Sequence, residues 1–166
     1  MSGILSNLKM KKIYIASDIH DDVEALDKFT PGSHVPNGLR HGLLDEEIID
    51  RIPADTELIG VSAMFSQQWP LDRELIRSIR AAFPRTPIVI GGEHATALPE
   101  YCLMDSPGTD FIVLGEGELT LVDLVSCIET DGDLEEVNGL YLRRGGELVR
   151  TESRKRIRME AISAIN

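Results

Sequence analysis

The stretch PIVIGGEHATALPEYCLMDSPGTDFIVLGEGELTLVDLV, residues 87–125, decides how the chain folds. PIVIGG (87–92) is a short apolar, β-branched run stopped by two glycines, and TDFIVLGEGE (109–118) is another that ends in a glycine turn. Between them ATALPEYCLMD (95–105) reads as a short helix carrying Pro99. After them LTLVDLVSCIE (119–129) reads as a helix that buries Val122, Val125 and Ile128. Strands that are apolar nearly throughout have both faces covered, which is the pattern of a parallel sheet joined by right-handed helical crossovers.

The same alternation extends outward. KKIYIAS (11–17) and ELIGVSAMF (57–65) are strands of the buried type. PLDRELIRSIRAAF (70–83) is an amphipathic helix started by Pro70, with Leu75, Ile79 and Phe83 on one stripe. In DEEIIDRI (45–52), Asp45 is the expected N-cap, Glu46 and Glu47 complement the helix dipole, and Ile48, Ile49 and Ile52 form the apolar face. TPGSHVPNGLRHGL (30–43) has two prolines, three glycines and no period, so an extended connection is expected there. NGLYLRRGGELVRT (138–151) alternates around Gly145 and Gly146, a two-residue hairpin signal, so an antiparallel ribbon should close the domain. The expected architecture is a doubly wound α/β domain over residues 1–152, followed at 153–166 by a linker segment.

Composition narrows the partners. At 166 residues, 42% hydrophobic and 27% charged, the chain suits one globular domain that buries roughly 70% of its unfolded surface. Its net charge of −11 disfavours nucleic acid and anionic membranes, which need a surplus of Lys and Arg. No apolar run reaches a membrane span and the head MSGILSNLKMKK lacks a signal-peptide pattern, so a cytoplasmic location is expected. Cys102 and Cys127 sit in apolar, helix-like segments and read as buried free thiols. With no CxxxCxxC motif, an iron–sulfur cluster is not expected on this chain.

Ligands of doubly wound sheets bind at the carboxyl ends of the strands. Four such ends carry small or polar residues: SDIHDD (17–22), VSAMFSQQW (61–69), GGEHAT (91–96) and GEGELT (115–120). Gly91 and Gly92 either serve a turn needing positive φ and close packing, or leave room for a ligand against the backbone. The GEGE turn approaches a dinucleotide fingerprint, but Thr120 replaces the third glycine. Glu116 and Glu118 also occupy the positive helix end where a pyrophosphate would sit, so nucleotide phosphates are disfavoured.

GLRHGLLDEEIIDRI, IGVSAMFS, PIVIGGEHATALPE, TDFIVLGEGELTLVDLV and NGLYLRRGGELVRT, in this order, resemble the N-terminal cobalamin-binding domain of cobalamin-dependent radical SAM proteins. The similarity is to the branch that includes the anaerobic magnesium-protoporphyrin monomethyl ester cyclase and related methyltransferases. It covers about residues 38–160, and GGxHATxxPE followed by GEGE is its most specific part. The resemblance implies a flavodoxin-like sheet that holds the corrin of cobalamin and faces a radical SAM barrel in the same polypeptide. The chain itself would hold the cofactor without supplying catalytic residues, and RIRMEAISAIN resembles the segment leading into the barrel. The [4Fe-4S] cluster and S-adenosylmethionine of such enzymes would belong to that barrel.

Carried over residue by residue, the resemblance puts Ser62 and Met64 beside the corrin or its nucleotide tail. Gly91, Gly92, His94, Ala95 and Thr96 would line the tail groove, with Gly115, Glu116 and Gly117 at its other rim. His94 is otherwise a capping or surface group at a helix start. Trp69 is either a core residue or an apolar surface offered to the corrin or the barrel.

The head admits several readings. Asp18-x-His20-x-x-Val23 has the shape of the Asp-x-His-x-x-Gly loop that offers histidine to cobalt in mutase-type cobalamin domains, with Val23 in place of the glycine. The radical SAM branch generally does without that histidine, so His20 is either an axial cobalt ligand or a solvated residue of an acidic loop. The same string opens like a metallophosphoesterase, with Asp18 and His20 as first ligands. That family's later Gly-Asn-His-Asp/Glu and Gly-His-x-His motifs do not follow. A third reading is a degenerate fold serving as a docking module. Four parallel strands are counted where the family has five, and the better fit is that the family's first strand and helix are missing. In that case a strand from the edge would fill the central slot or a gap would remain. A gap would weaken cobalamin binding and favour a homodimer.

Overall fold

The computed structural model describes residues 13–16, 29–31 and 39–154. The candidate ligand His20 and the linker beyond Arg154 lie outside the described residues.

One sheet organises the domain. Its strands are β1 (Ile13–Ala16), β4 (Leu58–Ser62), β5 (Ile88–Gly91), β6 (Phe111–Val113), β7 (Leu140–Arg144) and β8 (Glu147–Arg150), side by side in that order. The first four pair in parallel, and β7 and β8 return antiparallel around Gly145 and Gly146, both with positive φ as a two-residue hairpin turn requires. Strand β1 runs directly against β4, Ile13 opposite Leu58 and Ala16 opposite Val61, so no slot is left empty on that side of β4. Among the described residues, no gap separates β1 from β4.

The connection at 30–43 is more ordered than its Pro and Gly content suggests. Strands β2 (Phe29–Pro31) and β3 (Leu39–His41) pair antiparallel as a separate ribbon, with Pro31 opposite Leu39. Three-residue strands, one of them ending in a proline, leave too little periodicity to register as strands.

The helices are α1 (Asp45–Arg51), α2 (Trp69–Ala82), α3 (Glu93–Ala97), α4 (Pro99–Asp105) and α5 (Glu118–Thr130). The N-cap of α1 is Leu44 rather than Asp45, and the Glu47 carboxylate accepts from the Leu44 N–H at 2.9 Å. The single helix expected at 95–105 is two. Pro99 is the first residue of α4 and pushes Leu98 out of helical conformation, to φ −132° and ψ 53°. In α5 the buried stripe is Leu124 and Val125 with Leu121 and Ile128 packed beside them. Val122 falls off the stripe because residues 121, 124, 125 and 128 share one side by their i, i+3, i+4, i+7 spacing.

Strand alternation sorts the apolar residues into two cores. Ile59, Val61, Ile88, Ile90 and Ile112 face α1 to α4, where Ile48, Leu75, Ile76, Ile79 and Leu103 close over them. Leu58, Val89, Val113, Leu140 and Leu142 face the other way, against Leu124 and Val125 of α5. Cys102 is buried and Cys127 half-buried, both free, and burial pushes the Cys102 thiol up to about 11.

Candidate functional site

On the α5 face, the carboxyl ends of β4, β5 and β6 form a groove of about 330 Å³. The sheet register explains why it is open. Gly60 stands opposite Val89 and Ser62 opposite Gly91, so three small residues share one patch of one face where neighbouring positions carry Leu or Val. Val89, Val113 and Leu121 give its apolar walls, Val61 and Ile90 border it although their side chains belong to the opposite core, Ser62 is the polar group within, and Glu118 stands at the first turn of α5.

Gly91, which ends β5, and Gly92, which caps α3, do different work. Gly92 has φ +110°, and a Cβ there would come within 2.5 Å of the Ala63 carbonyl oxygen, so it is glycine because the backbones of two strand ends meet. The contact is used: the His94 N–H donates to that carbonyl at 3.2 Å. A Cβ on Gly91 would meet nothing nearer than the Val113 carbonyl oxygen at 4.0 Å, and its φ lies outside the left-handed region. Gly91 faces the groove and spares space rather than backbone strain. Gly117 is tight again, since a Cβ there would lie 2.8 Å from Val113 Cγ1.

The remaining candidates divide. Ser62, Gly91, Gly92 and Gly117 line the groove. Gly115 and Glu116 are exposed beyond it, and the Gly115 N–H donates to Thr96 Oγ1 at 2.9 Å, tying the rim to α3. Met64 is exposed in the loop after β4. His94 and Ala95 are not among the groove residues. Both are buried on the opposite side, because the first turn of α3 directs them toward α2 and α4. Sequence reasoning missed Gly60, Val61, Val89, Ile90, Val113, Glu118 and Leu121. Of these only Gly60 carried a signal, since a glycine inside a strand marks close approach by a ligand or another backbone.

His94 belongs to an aromatic cluster. Its ring lies 5.1 Å from Trp69 and edge-on to Tyr101 at 6.4 Å, and its Nδ1 pairs with Ser66 Oγ at 2.9 Å. Its Nε2 is buried without a partner among the described residues, and burial lowers its pKa, so the ring is neutral. Trp69 is a core residue, 2% exposed, whose Nε1–H donates to Asp105 at 2.9 Å. Arg73 donates to both oxygens of the same carboxylate, at 3.1 and 3.0 Å. Burial alone would raise Asp105, but hydrogen bonds from Trp69, Arg73 and Tyr101 outweigh it and hold the carboxyl below its ordinary value. The cluster pins the loop that follows β4, and with it one side of the strand ends.

A doubly wound sheet with a small-residue groove at the carboxyl ends of its parallel strands defines a cofactor-holding α/β domain. The chain belongs to the B12-binding domain family, whose model matches residues 14–125, beginning within β1. It is 36% identical over 112 residues to the anaerobic magnesium-protoporphyrin IX monomethyl ester cyclase of Synechocystis sp., covering 66% of this chain and 22% of that protein. It is 32% identical over 106 residues to the cytidylyl-2-hydroxyethylphosphonate methyltransferase of Streptomyces wedmorensis, covering 63% of this chain and 20% of the relative. Among solved structures, the cobalamin-dependent S-adenosylmethionine radical enzyme OxsB with aqua-cobalamin and S-adenosylmethionine bound superposes with a TM-score of 0.55 at 25% identity, covering 66% of this chain and 15% of that one. The radical S-adenosylmethionine methyltransferase TsrM of Kitasatospora setae, with tryptophan substrate and a SAM analogue bound, gives the same TM-score of 0.55 at 25% identity, covering 65% of this chain and 21% of that one. The chain therefore spans about a fifth of the length of the curated relatives it matches. No helix among the described residues is long and apolar enough to cross a membrane.

Proposed function

We propose that this chain holds cobalamin for a radical SAM enzyme of the methyl-transfer or oxidative-cyclase type, with the corrin over the carboxyl ends of β4, β5 and β6 and the nucleotide tail in the groove. The observation that carries this reading is Gly91, a strand residue whose absent side chain opens the groove although the backbone does not require glycine. The size fits a tail rather than a whole corrin, because about 330 Å³ is near the lower end for small-molecule sites. The floor is uncharged and apolar, suited to the flat aromatic end of the tail, with the Ser62 hydroxyl as its polar partner. Glu118 at the mouth disfavours a nucleotide polyphosphate in the same place.

Bound there, cobalamin would supply the cobalt chemistry. The residues of this chain bind and orient it, and keep water from its tail. The partner is a radical SAM barrel of the same polypeptide, which would hold the [4Fe-4S] cluster and S-adenosylmethionine. This placement is supported by the relatives, whose matched regions are a fifth to a quarter of their length. His20 remains the candidate axial ligand. A visible-absorption titration of purified protein with hydroxocobalamin tests the reading: a saturable spectral change at one equivalent is expected, and none is expected of a docking module without cofactor. The same titration of His20→Ala separates an imidazole-bound cobalt, whose spectrum would change with the substitution, from an unligated one.

A further inference from the structure

The chain leaves the domain beside the groove, and its last described residue is tied to the groove wall. Strand β8 runs antiparallel to β7, which itself descends from the carboxyl end of β6, so residues 151–154 rise to the same end of the sheet as the groove. There Arg154 donates from Nε to Thr120 Oγ1 at 3.0 Å and pairs through Nη2 with Asp123. Both partners lie near the start of α5, whose Gly117, Glu118 and Leu121 wall the groove.

The contact continues into the rim. Thr120 is fully buried and donates to the Asn138 carbonyl at 3.0 Å. The next residue, Gly139, donates its N–H to the Glu152 carbonyl at 2.7 Å and accepts from the Leu114 N–H at 2.8 Å, where the β6–α5 turn begins. Gly139 has φ +86°, and a Cβ there would lie 2.8 Å from Thr120 Oγ1, so this crossing admits no side chain. The turn is held from the other side by Thr96. These hydrogen bonds, joined by the Asn138–Gly139 peptide, thus run from Arg154 to Thr120 and Leu114, the chain neighbours of the groove residues Leu121 and Val113.

We propose that Arg154 is a positioning residue for the groove: its clamp on Thr120 and Asp123 couples docking of the exit segment 151–154 to occupancy by the cofactor. The inference rests on the cobalamin-holding reading and deepens it, since the exit segment is the path along which a following domain would sense whether the cofactor is seated. A ligand that braces the α5 wall stabilises the clamped state, and by linkage the clamp strengthens binding of the ligand by the same factor.

Trypsin reports the clamp directly, because cleavage after Arg154 requires its side chain to leave Asp123 and enter the protease pocket. Cleavage at this bond is followed by mass spectrometry with and without hydroxocobalamin, and hydroxocobalamin affinity is measured for wild type, Arg154→Ala, Asp123→Ala and the charge-exchanged Arg154→Asp/Asp123→Arg pair. The expected result is at least about five-fold slower cleavage in the presence of the cofactor, a comparable loss of affinity in each single variant, and partial recovery in the exchanged pair. A wild type that binds hydroxocobalamin with unchanged cleavage, or single variants that bind as tightly as wild type, overturns the coupling and leaves the cobalamin reading standing. A wild type that does not bind overturns both.

Discussion

The two faces of the sheet are packed to different ends. On the face toward α1 to α4, Ile59, Ile88, Ile90 and Ile112 are fully buried against Leu, Ile and Cys side chains. On the α5 face the same strands carry Gly60, Ser62 and Gly91 at the carboxyl ends, and packing stops short, leaving the groove. The first face is filled for stability. The second forgoes apolar burial where a cofactor can complete it. The neighbouring glycines at the end of β5 condense the contrast: a Cβ at Gly92 would collide with the Ala63 backbone, while one at Gly91 would enter open space.

Substitutions can break this comparison, beginning with the largest effect. Ile88→Ala on the closed face should cost about 3 kcal/mol of unfolding free energy in urea titrations, while cofactor affinity of the folded protein stays unchanged. Gly92→Ala should cost about 2 kcal/mol, since positive φ and the Ala63 carbonyl both oppose a Cβ. Trp69→Phe, which takes one donor from Asp105, should cost ~1 kcal/mol, again by urea unfolding, without a change in affinity.

The pH dependence follows from His94. Burial holds its pKa below the ordinary 6.5, so the unfolded chain binds the proton first as pH falls. Stability should therefore decline as pH drops below about 6.5 and level off once the folded ring also protonates. Urea midpoints across this range should show the decline in wild type and lose it in His94→Gln. Asp105, held below its ordinary 3.8, adds a separate loss only as pH falls through that lower range.

The strand and helix order was legible because buried parallel strands and amphipathic helices have distinct periods, and Gly145 with Gly146 announced the ribbon. The strand ends were legible as a candidate site, and four of the ten residues assigned there line the groove. The rest was not readable for physical reasons. His94 and Ala95 share a motif with Gly91 and Gly92, but the chain passes from strand to helix between them, and the first turn of α3 directs His94 and Ala95 into the core opposite the groove. The groove walls Val89 and Val113 are ordinary strand sequence until the register sets them beside Gly60 and Ser62. Leu39–His41 pairs with Phe29–Pro31 across a spacing that no local signal announces.

The central claim is that Gly91 is glycine for the cofactor and not for the fold. Gly91→Val, compared with wild type by urea unfolding and by hydroxocobalamin titration, tests it most directly. The expected result is an unfolding midpoint close to wild type with affinity reduced at least ten-fold, about 1.4 kcal/mol. A Gly91→Val protein that binds hydroxocobalamin as tightly as wild type would contradict the account.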